Sequence, residues 1–162
     1  MKLQLITLVS ASLLFFAGCS SSSDGSSNTK VKVSSDFYIV NADVRVGDSN
    51  SSTYLGDGTY ELDGEFVGVR TVIGGVNDVN GNGEADTGES YAPMLSAPDT
   101  YANVNPFTTM LVNGTLAADL GIKYPVAYGI KDNFDFDVVA ESTDNIDLAK
   151  EVANASLELS GS

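Results

Sequence analysis

The stretch "DFYIVNADVRVGD", residues 36–48, alternates apolar and polar side chains in the way that is typical of a half-buried β-strand. Successive side chains of a strand point to opposite faces of the sheet, so the apolar members would share one buried face. That predicted face consists of Tyr38, Val40, Ala42, Val44 and Val46. The polar residues Asn41, Asp43 and Arg45 would point the other way. We therefore expect the fold to begin as a β-sheet.

The residues that follow, "GTYELDGEFVGVRTVIGG" at 58–75, predict a β-hairpin. The Asp-Gly pair at 63–64 is a strong signal for a two-residue loop, and an earlier Asp-Gly pair at 57–58 marks another turn. The later loop would create the pairs Tyr60 with Val67 and Glu61 with Phe66. Because no helical pattern separates these short strands, a small β-sandwich is favoured over a parallel sheet.

The segments "NADVRV" at 41–46 and "GDGTYELDG" at 56–64 resemble the carboxypeptidase regulatory-like, prealbumin-type sandwich modules of secreted proteins. The resemblance implies a binding or structural unit rather than a catalyst. We accordingly expect a mainly β fold with some α structure. A prealbumin-like or Ig-like β-sandwich would occupy residues 31–104, and a short helical C-terminal segment would occupy residues 105–162.

The pattern changes from alternating to helical near Pro106. Asn105 is a favourable N-cap and Pro106 suits the first helical position, so a helix should run to about Val112 and stop at Gly114. Thr115 would cap a second short turn that ends at Gly121.

The segment "STDNIDLAKEVANASLEL" at 142–159 predicts the longest helix, with Asp144 as its cap and Asp147 in its first turn. The predicted buried side of this helix consists of Ile146, Ala149, Val152, Ala153, Ser156 and Leu157. These helices would pack against the sheet.

The composition of the chain limits its chemistry. Its 162 residues are enough for one domain, and 22 acidic against 8 basic residues give a formal net charge of −14. This charge argues against nucleic acid or anionic lipid headgroups as partners and favours cations. One cysteine and no histidine exclude a histidine base, a Cys/His dyad, a thiolate zinc site and an intrachain disulfide. We therefore expect a protein that is not an enzyme.

The stretch "NDVNGNGEADTGE" at 77–89 contains the spacing of an EF-hand calcium loop, D-x-[DN]-x-[DN]-G-x₅-E. The predicted calcium ligands are Asp78, Asn80, Asn82, Glu84, Asp86 and Glu89. Alternate side chains of a tightly wound loop converge on one centre, and Gly83 would take the left-handed turn. Glu84 would offer its carbonyl and Glu89 would close the shell with both oxygens, which gives the oxygen-only site that Ca²⁺ prefers.

The alternative interpretation of this loop is a solvated hairpin rich in Gly, Asn and Asp, since those residues dominate turns. The flanking segments predict strand and loop rather than the two helices of a true EF-hand. The loop therefore resembles the calcium loops of dockerins and other extracellular modules. Two such loops are typical of dockerins, whereas this chain has one.

The N-terminal segment is typical of an exported lipoprotein. Lys2 precedes an apolar run, and residues 1–18 predict a signal peptide. The run ends at "FAGCS", residues 16–20, which resembles the lipobox of bacterial lipoproteins. On that resemblance Cys19 is lipidated and becomes the first residue of the mature protein. Residues 19–30 would then form a flexible tether to the membrane, and Ser20 favours an outer-membrane address by analogy.

The order of segments over residues 65–158 resembles a group of bacterial surface lipoproteins and adhesin-like proteins. Members of this group have a Gly-Gly and Asp-rich β segment, a "V-x-P-[LF]-T-T" helix start, here "VNPFTT" at 104–109, and a helical tail. The resemblance implies a place in the cell envelope and an architecture. A contact function with a surface protein or a glycan is consistent with it.

Two further groups of side chains are candidates for binding. Asp132, Asp135 and Asp137 could hold a second cation, or they could form a solvated acidic turn anchored by Phe134 and Phe136. The tyrosines that could line a sugar-binding face, or else belong to the core and rim of the sandwich, are Tyr54, Tyr60, Tyr91 and Tyr101.

The sequence thus predicts a calcium-stabilised cell-envelope lipoprotein that acts as an adhesin-like or structural binding module. The alternative is a lipid-tethered periplasmic or surface hydrolase, or a ligand-binding subunit, that uses acidic residues. Carboxylates that flank a deep cleft would favour the enzyme.

Overall fold

The computed structural model of the protein describes residues 27–49 and 51–161. Within these ranges nine strands come first along the chain and five helices follow, which confirms the mainly β fold with a helical C-terminal part. The strands are β1 (Thr29–Val33), β2 (Ile39–Val40), β3 (Asp43–Val46), β4 (Thr53–Gly56), β5 (Thr59–Leu62), β6 (Arg70–Ile73), β7 (Val76–Asn77), β8 (Leu95–Ala97) and β9 (Asn103–Val104). The helices are α1 (Pro106–Val112), α2 (Ala117–Lys123), α3 (Pro125–Ile130), α4 (Val138–Ser142) and α5 (Ile146–Ser160).

The strands form three sheets, with the order β4-β5-β1-β9 in the first, β3-β6-β8 in the second and β2-β7 in the third. All pairs are antiparallel except β1 with β9, which run parallel. The first strand begins at Thr29, two residues inside the predicted tether. The two larger sheets bury one common apolar core. From the first sheet this core takes Val31, Val33, Tyr60, Leu62 and Val104, and from the second Val44, Val46, Val72, Leu95 and Ala97.

The single long strand predicted over residues 36–48 is wrong, because the chain breaks into β2 and β3. Asn41 lies between them with φ of +55°, a left-handed conformation that Asn tolerates better than most residues and that ends an extended run. Val44 and Val46 are buried as predicted, but Ile39, which was not predicted to be buried, is buried as well. The break lets β2 pair with β7 while β3 pairs with β6.

The predicted hairpin at 63–64 is also wrong. Strand β5 pairs with β4 on one side and with β1 on the other, so neither edge is left for residues 66 and 67. Instead Thr29 donates its backbone N–H to the carbonyl of Gly64 (2.8 Å), and Val67 is 78% exposed. The tight turn is the earlier one at 57–58, where both residues have the positive φ of a two-residue hairpin loop.

The helices bury a second core around aromatic rings. The ring centroid of Phe107 lies 5.1 Å from that of Tyr124 and 5.3 Å from that of Phe134. Helix α1 begins and ends as predicted, with Asn105 as N-cap and Pro106 at the first position. No helix in the described part of the chain is long and apolar enough to cross a membrane.

Other helical predictions need correction. Helix α2 starts after Leu116 without a side-chain cap and continues through Gly121. At Gly121 the helix packs against the Tyr128 ring and leaves no room for a Cβ, so this glycine permits close packing and does not end the helix. Helices α3 and α4 were not predicted. The cap of α5 is Asn145 rather than Asp144.

The buried side of α5 differs from the predicted one. It consists of Leu148, Val152, Ala155 and Ser156, whereas Ile146 and Leu157 are each 72% exposed. The physical reason is that α5 packs against three other helices, α1, α3 and α4, and their positions decide which stripe of α5 is covered.

Candidate functional site

The predicted calcium loop projects from a short antiparallel ladder. At its base the Asn77 N–H donates to the Ser90 carbonyl (2.9 Å) and the Ala92 N–H donates to the Gly75 carbonyl (3.1 Å). Val76 and Tyr91 form a β-bridge between these two bonds. The conformation of the loop is therefore coupled directly to the position of Tyr91.

Residues 78–83 wind around the Asp78 carboxylate. Oδ1 accepts the N–H groups of Gly81 (2.8 Å) and Asn82 (3.1 Å), and Oδ2 accepts the N–H of Gly83 (2.8 Å). Both glycines have the positive φ that this winding requires, +73° and +81°, as predicted for Gly83. Asp78 is only 7% exposed, although the rest of the loop is mainly open to solvent.

Glu89 closes the loop from its other end. Oε1 accepts the Val79 N–H (2.8 Å) and Oε2 accepts the Asp86 N–H (2.9 Å). Asp86 Oδ2 in turn accepts the side-chain amides of Asn80 (2.8 Å) and Asn82 (2.7 Å). All six predicted ligands thus belong to one hydrogen-bonded loop, five of them through their side chains. The sixth, Glu84, is exposed and donates its N–H to Asn82 Oδ1 (2.8 Å).

The donor chemistry of the loop fits a hard cation. A carboxylate offers about four acceptor positions, of which Asp78 uses three and Glu89 two in these hydrogen bonds. Calcium would use the remaining positions together with the two Asn oxygens, after those amides turn away from Asp86. The described residues include no preassembled group of three or more Asp, Glu, Cys or His at metal-binding distance. Calcium binding therefore stays a prediction.

The second acidic segment is an anchored turn. Phe134 and Phe136 are buried, and the carboxylates between and after them point to different partners. Asp135 Oδ1 accepts the N–H groups of Ala102 (3.1 Å) and Asn103 (2.9 Å). Asp137 caps α4. The three aspartates are thus not gathered around a common centre in the described structure.

Asp137 also forms a small network with two residues of the β part. Its Oδ2 accepts the Tyr38 hydroxyl (2.9 Å) and lies 2.9 Å from Lys32 Nζ. Burial lowers the pKa of Lys32, but the hydrogen bond to Asp137 and its charge outweigh this and raise the pKa overall. Burial, and then the hydrogen bond to Asp137, raise the pKa of Tyr38. Both groups therefore stay protonated at neutral pH and act as structural donors.

The four tyrosines proposed for a sugar-binding face divide clearly. Tyr60 is fully buried, and Tyr54 and Tyr101 pack against the β core at its rim. Tyr91 is 86% exposed. The core-and-rim interpretation is therefore correct for three of them, and Tyr91 alone remains available to a ligand.

Three grooves indent the described surface. An apolar one of about 440 Å³, lined by residues such as Val69 and Met94, lies between the second sheet and α1. A second one of about 420 Å³, the Tyr91 groove, has a mixed polar and apolar lining and lies between the base of the predicted calcium loop and α5. Its lining includes Ser35, Asp36, Asn77, Ser90, Tyr91 and Ser156. A smaller groove of about 250 Å³ adjoins it and shares Asp36 and Ala153.

Sequence reasoning missed this groove, apart from Tyr91. Ser156 Oγ donates to Asp36 Oδ1 (2.8 Å), although these residues are 120 positions apart. No local pattern could have revealed that contact.

Comparison of the chain with protein-family models, with curated proteins and with solved structures finds no match. Cys19, the predicted lipidation site, lies outside the described residues.

Proposed function

We propose that this protein is a calcium-stabilised lipoprotein of the cell envelope that works by contact, as an adhesin-like or structural binding module. Its lipid would be carried by Cys19, within the lipobox-like "FAGCS". The outer membrane is the proposed location, with a surface protein or a glycan as partner. The net charge of −14 disfavours nucleic acid.

The observation that carries the proposal is the loop at 78–89. Its residues have the spacing of a calcium loop, and the chain is already wound around Asp78 and closed by Glu89. A preorganised loop loses less conformational entropy when it binds an ion than a disordered one does. The same hydrogen bonds would also form in a plain turn, so the ion itself needs a direct test.

The three grooves offer no specific support for hydrolysis. Hydrolysis by acids needs two carboxylates that flank a cleft. Of the described residues that line the three grooves, Asp36 is the only carboxylate. A lipid-tethered hydrolase therefore remains the alternative without a specific observation in its favour, and we propose no catalytic residue.

Calorimetric titration of the purified full chain with Ca²⁺ tests the proposal. We expect one site with a dissociation constant of about 10⁻⁵ to 10⁻³ M, since two neutral Asn ligands reduce the charge of the site. Mg²⁺ should bind more weakly because it requires a tighter octahedron. A titration without heat of binding, together with identical melting in calcium and in chelator, would show that the loop is a plain turn.

A further inference from the structure

Tyr91 is held in a way that suits a stacking platform. Tyr91 is 86% exposed, yet its backbone is fixed by the bridge to Val76 and by the flanking bonds at Asn77 and Ala92. An exposed aromatic ring on a rigid backbone offers contact area at little cost in conformational entropy. Tyr91 therefore offers a flat apolar face beside the groove.

The rest of the Tyr91 groove is mostly uncharged, and beside its apolar residues Pro93 and Leu157 it has a wall of polar groups. Asn77 Nδ2 donates to Ser90 Oγ (3.0 Å), and Asn77 Oδ1 accepts Ser35 Oγ (2.6 Å), so these groups are oriented before any ligand arrives. On the opposite wall Asp36 is held by Ser156 from α5. The groove thus combines one aromatic ring with hydroxyl, amide and carboxylate groups that hydrogen-bond hydroxyls.

The size of the groove fits an extended ligand. About 420 Å³ lies within the range of small-molecule sites. The groove of about 250 Å³ shares Asp36 and Ala153 with it and is also lined by Phe37. Phe37 is 38% exposed. A chain of several small units could therefore lie along α5, with an aromatic ring near each end.

The chemistry favours a neutral sugar chain over the other occupants. Protein interfaces usually need a desolvated centre with several aromatic or Arg anchors. Among the described residues that line it, this groove has one aromatic ring, Tyr91, beside Pro93 and Leu157, and its lining includes four serines and no Arg. A polyanion would be repelled by the net charge of −14. A neutral sugar has an apolar C–H face for the ring and hydroxyls for the polar wall.

We propose that the Tyr91 groove binds a neutral glycan, with the Tyr91 ring stacked on a sugar and Asp36 accepting sugar hydroxyls. This inference rests on the proposed contact function and names its partner class. The calcium loop, joined to Tyr91 through the ladder at its base, sets the angle of the ring.

The test is calorimetric titration of the purified full chain with cellohexaose, maltohexaose and chitohexaose, in calcium and in chelator, with oligogalacturonate as the anionic comparison. We expect at least one neutral hexaose to bind, more tightly than the anion. Tyr91→Ala should weaken that binding about tenfold, and Tyr91→Phe, which keeps the ring, should stay within about threefold of wild type. Ile122→Ala is the matched control, because Ile122 is 83% exposed on α2 and does not line the groove.

The outcomes separate this inference from the proposed function. If calcium raises the melting temperature but none of the three neutral hexaoses binds, the glycan site is wrong and the calcium-stabilised module stands. If a hexaose binds and Tyr91→Ala weakens that binding, while calcium changes neither the hexaose affinity nor the melting temperature, the glycan site stands and the calcium role is wrong. Binding that is equal in Tyr91→Ala and wild type overturns the inference. Binding of a deglycosylated envelope protein in this groove, without binding of any neutral hexaose, also overturns the inference.

Discussion

At the residue scale, Tyr60 holds together β2 and β3, the two pieces of the strand predicted over residues 36–48. Its hydroxyl donates to the Ile39 carbonyl (3.0 Å) and accepts the Ala42 N–H (3.1 Å), one on each side of Asn41. The side chain is 1% exposed, and this burial raises the pKa of Tyr60 to about 12. The phenol satisfies two backbone groups that the break would otherwise leave without partners.

This raised pKa predicts a loss of stability at alkaline pH. Between pH 10 and about 12 the unfolded chain releases the Tyr60 proton and the folded chain keeps it, so the free energy of unfolding falls as pH rises. The stabilising contribution is complete below pH 10 and lost above about 12, a change on the order of 2 kcal/mol. Urea unfolding across this range measures it.

Tyr60→Phe should be less stable at neutral pH by about 1–3 kcal/mol and should lack this part of the alkaline loss. The control is Tyr128→Phe, at a tyrosine of the α3 surface, which should retain the alkaline loss of stability that Tyr60 causes. An alkaline slope that is the same in Tyr60→Phe and wild type would contradict the prediction.

Asp78 permits a second prediction, on calcium. A ligand that binds only the folded loop stabilises the protein by RT ln(1 + [L]/Kd), about 1.4 kcal/mol at tenfold excess over Kd. Calcium should therefore raise the melting temperature of the wild type by about 5 °C. Asp78→Ala should abolish this increment. Because Asp78 also accepts three backbone N–H groups, this variant should melt lower in chelator too.

The measurement is the difference between melting temperatures in calcium and in chelator for each variant. Asp63→Ala removes an exposed acid from the Asp-Gly pair at 63–64, outside the loop, and should keep the full increment. An increment that survives in Asp78→Ala would show that calcium acts elsewhere.

At the element scale, helix α1 joins the two halves of the fold through its N-cap. Asn105 Oδ1 accepts the Thr108 N–H (3.0 Å), and the Thr108 hydroxyl accepts the Asn105 N–H (2.9 Å), which completes a capping box. The amide of the same Asn105 donates to the carbonyls of Phe134 (2.9 Å) and Phe136 (3.1 Å). This cap therefore also holds the turn that precedes α4.

Two asparagine caps allow a matched comparison. Asn145 caps α5 through one bond to the Leu148 N–H (3.1 Å), and Asn145→Ala should cost about 1 kcal/mol. Asn105 is fully buried, so Asn105→Ala also removes one donor from each of the Phe134 and Phe136 carbonyls and should cost about 3 kcal/mol. Chemical denaturation of both variants measures the difference. Equal costs would show that the bonds to the Phe134 turn contribute nothing.

At the scale of the whole molecule, the β part and the helical part behave as one body with two cores. Leu159 of α5 packs against both cores, and Asp135 accepts N–H groups from the segment that leads into β9. The network of Lys32, Tyr38 and Asp137 crosses the same junction. A ligand in the Tyr91 groove would contact both parts, since its walls come from the loop base and from α5.

The proposed anchor gives a prediction for the whole protein. If Cys19 carries lipid chains, each buried CH₂ contributes about 0.8 kcal/mol to membrane binding, and two or more chains hold the protein firmly. Cys19→Ser should therefore move it from the membrane fraction to the soluble fraction. Fractionation with mass spectrometry of the N-terminal peptide measures this, and Ser20→Ala is the control. An unmodified cysteine with unchanged fractionation would rule the anchor out.

The sequence by itself determined the features that depend on neighbouring residues. The order of strands before helices, the turn at 57–58, the Asn105 cap and the left-handed turn at Gly83 all follow from local conformational preference and short-range hydrogen bonds. For the candidate loop, the sequence predicted which residues share one hydrogen-bonded loop. It could not predict that the two Asn amides point to Asp86.

Only the tertiary structure decided which segments meet. Strand β1 lies between β5 and β9 and occupies the edge of β5 that the predicted hairpin at 63–64 would need. It does so although the hairpin would join its strands by a much shorter connection than the one between β1 and β5. The position of α5 against its neighbours set its buried side, and the same position brought Ser156 to Asp36 and made the Tyr91 groove. The physical reason is that a strand edge or an apolar stripe has many possible partners. The choice among them rests on packing of the whole chain, which local periodicity does not contain.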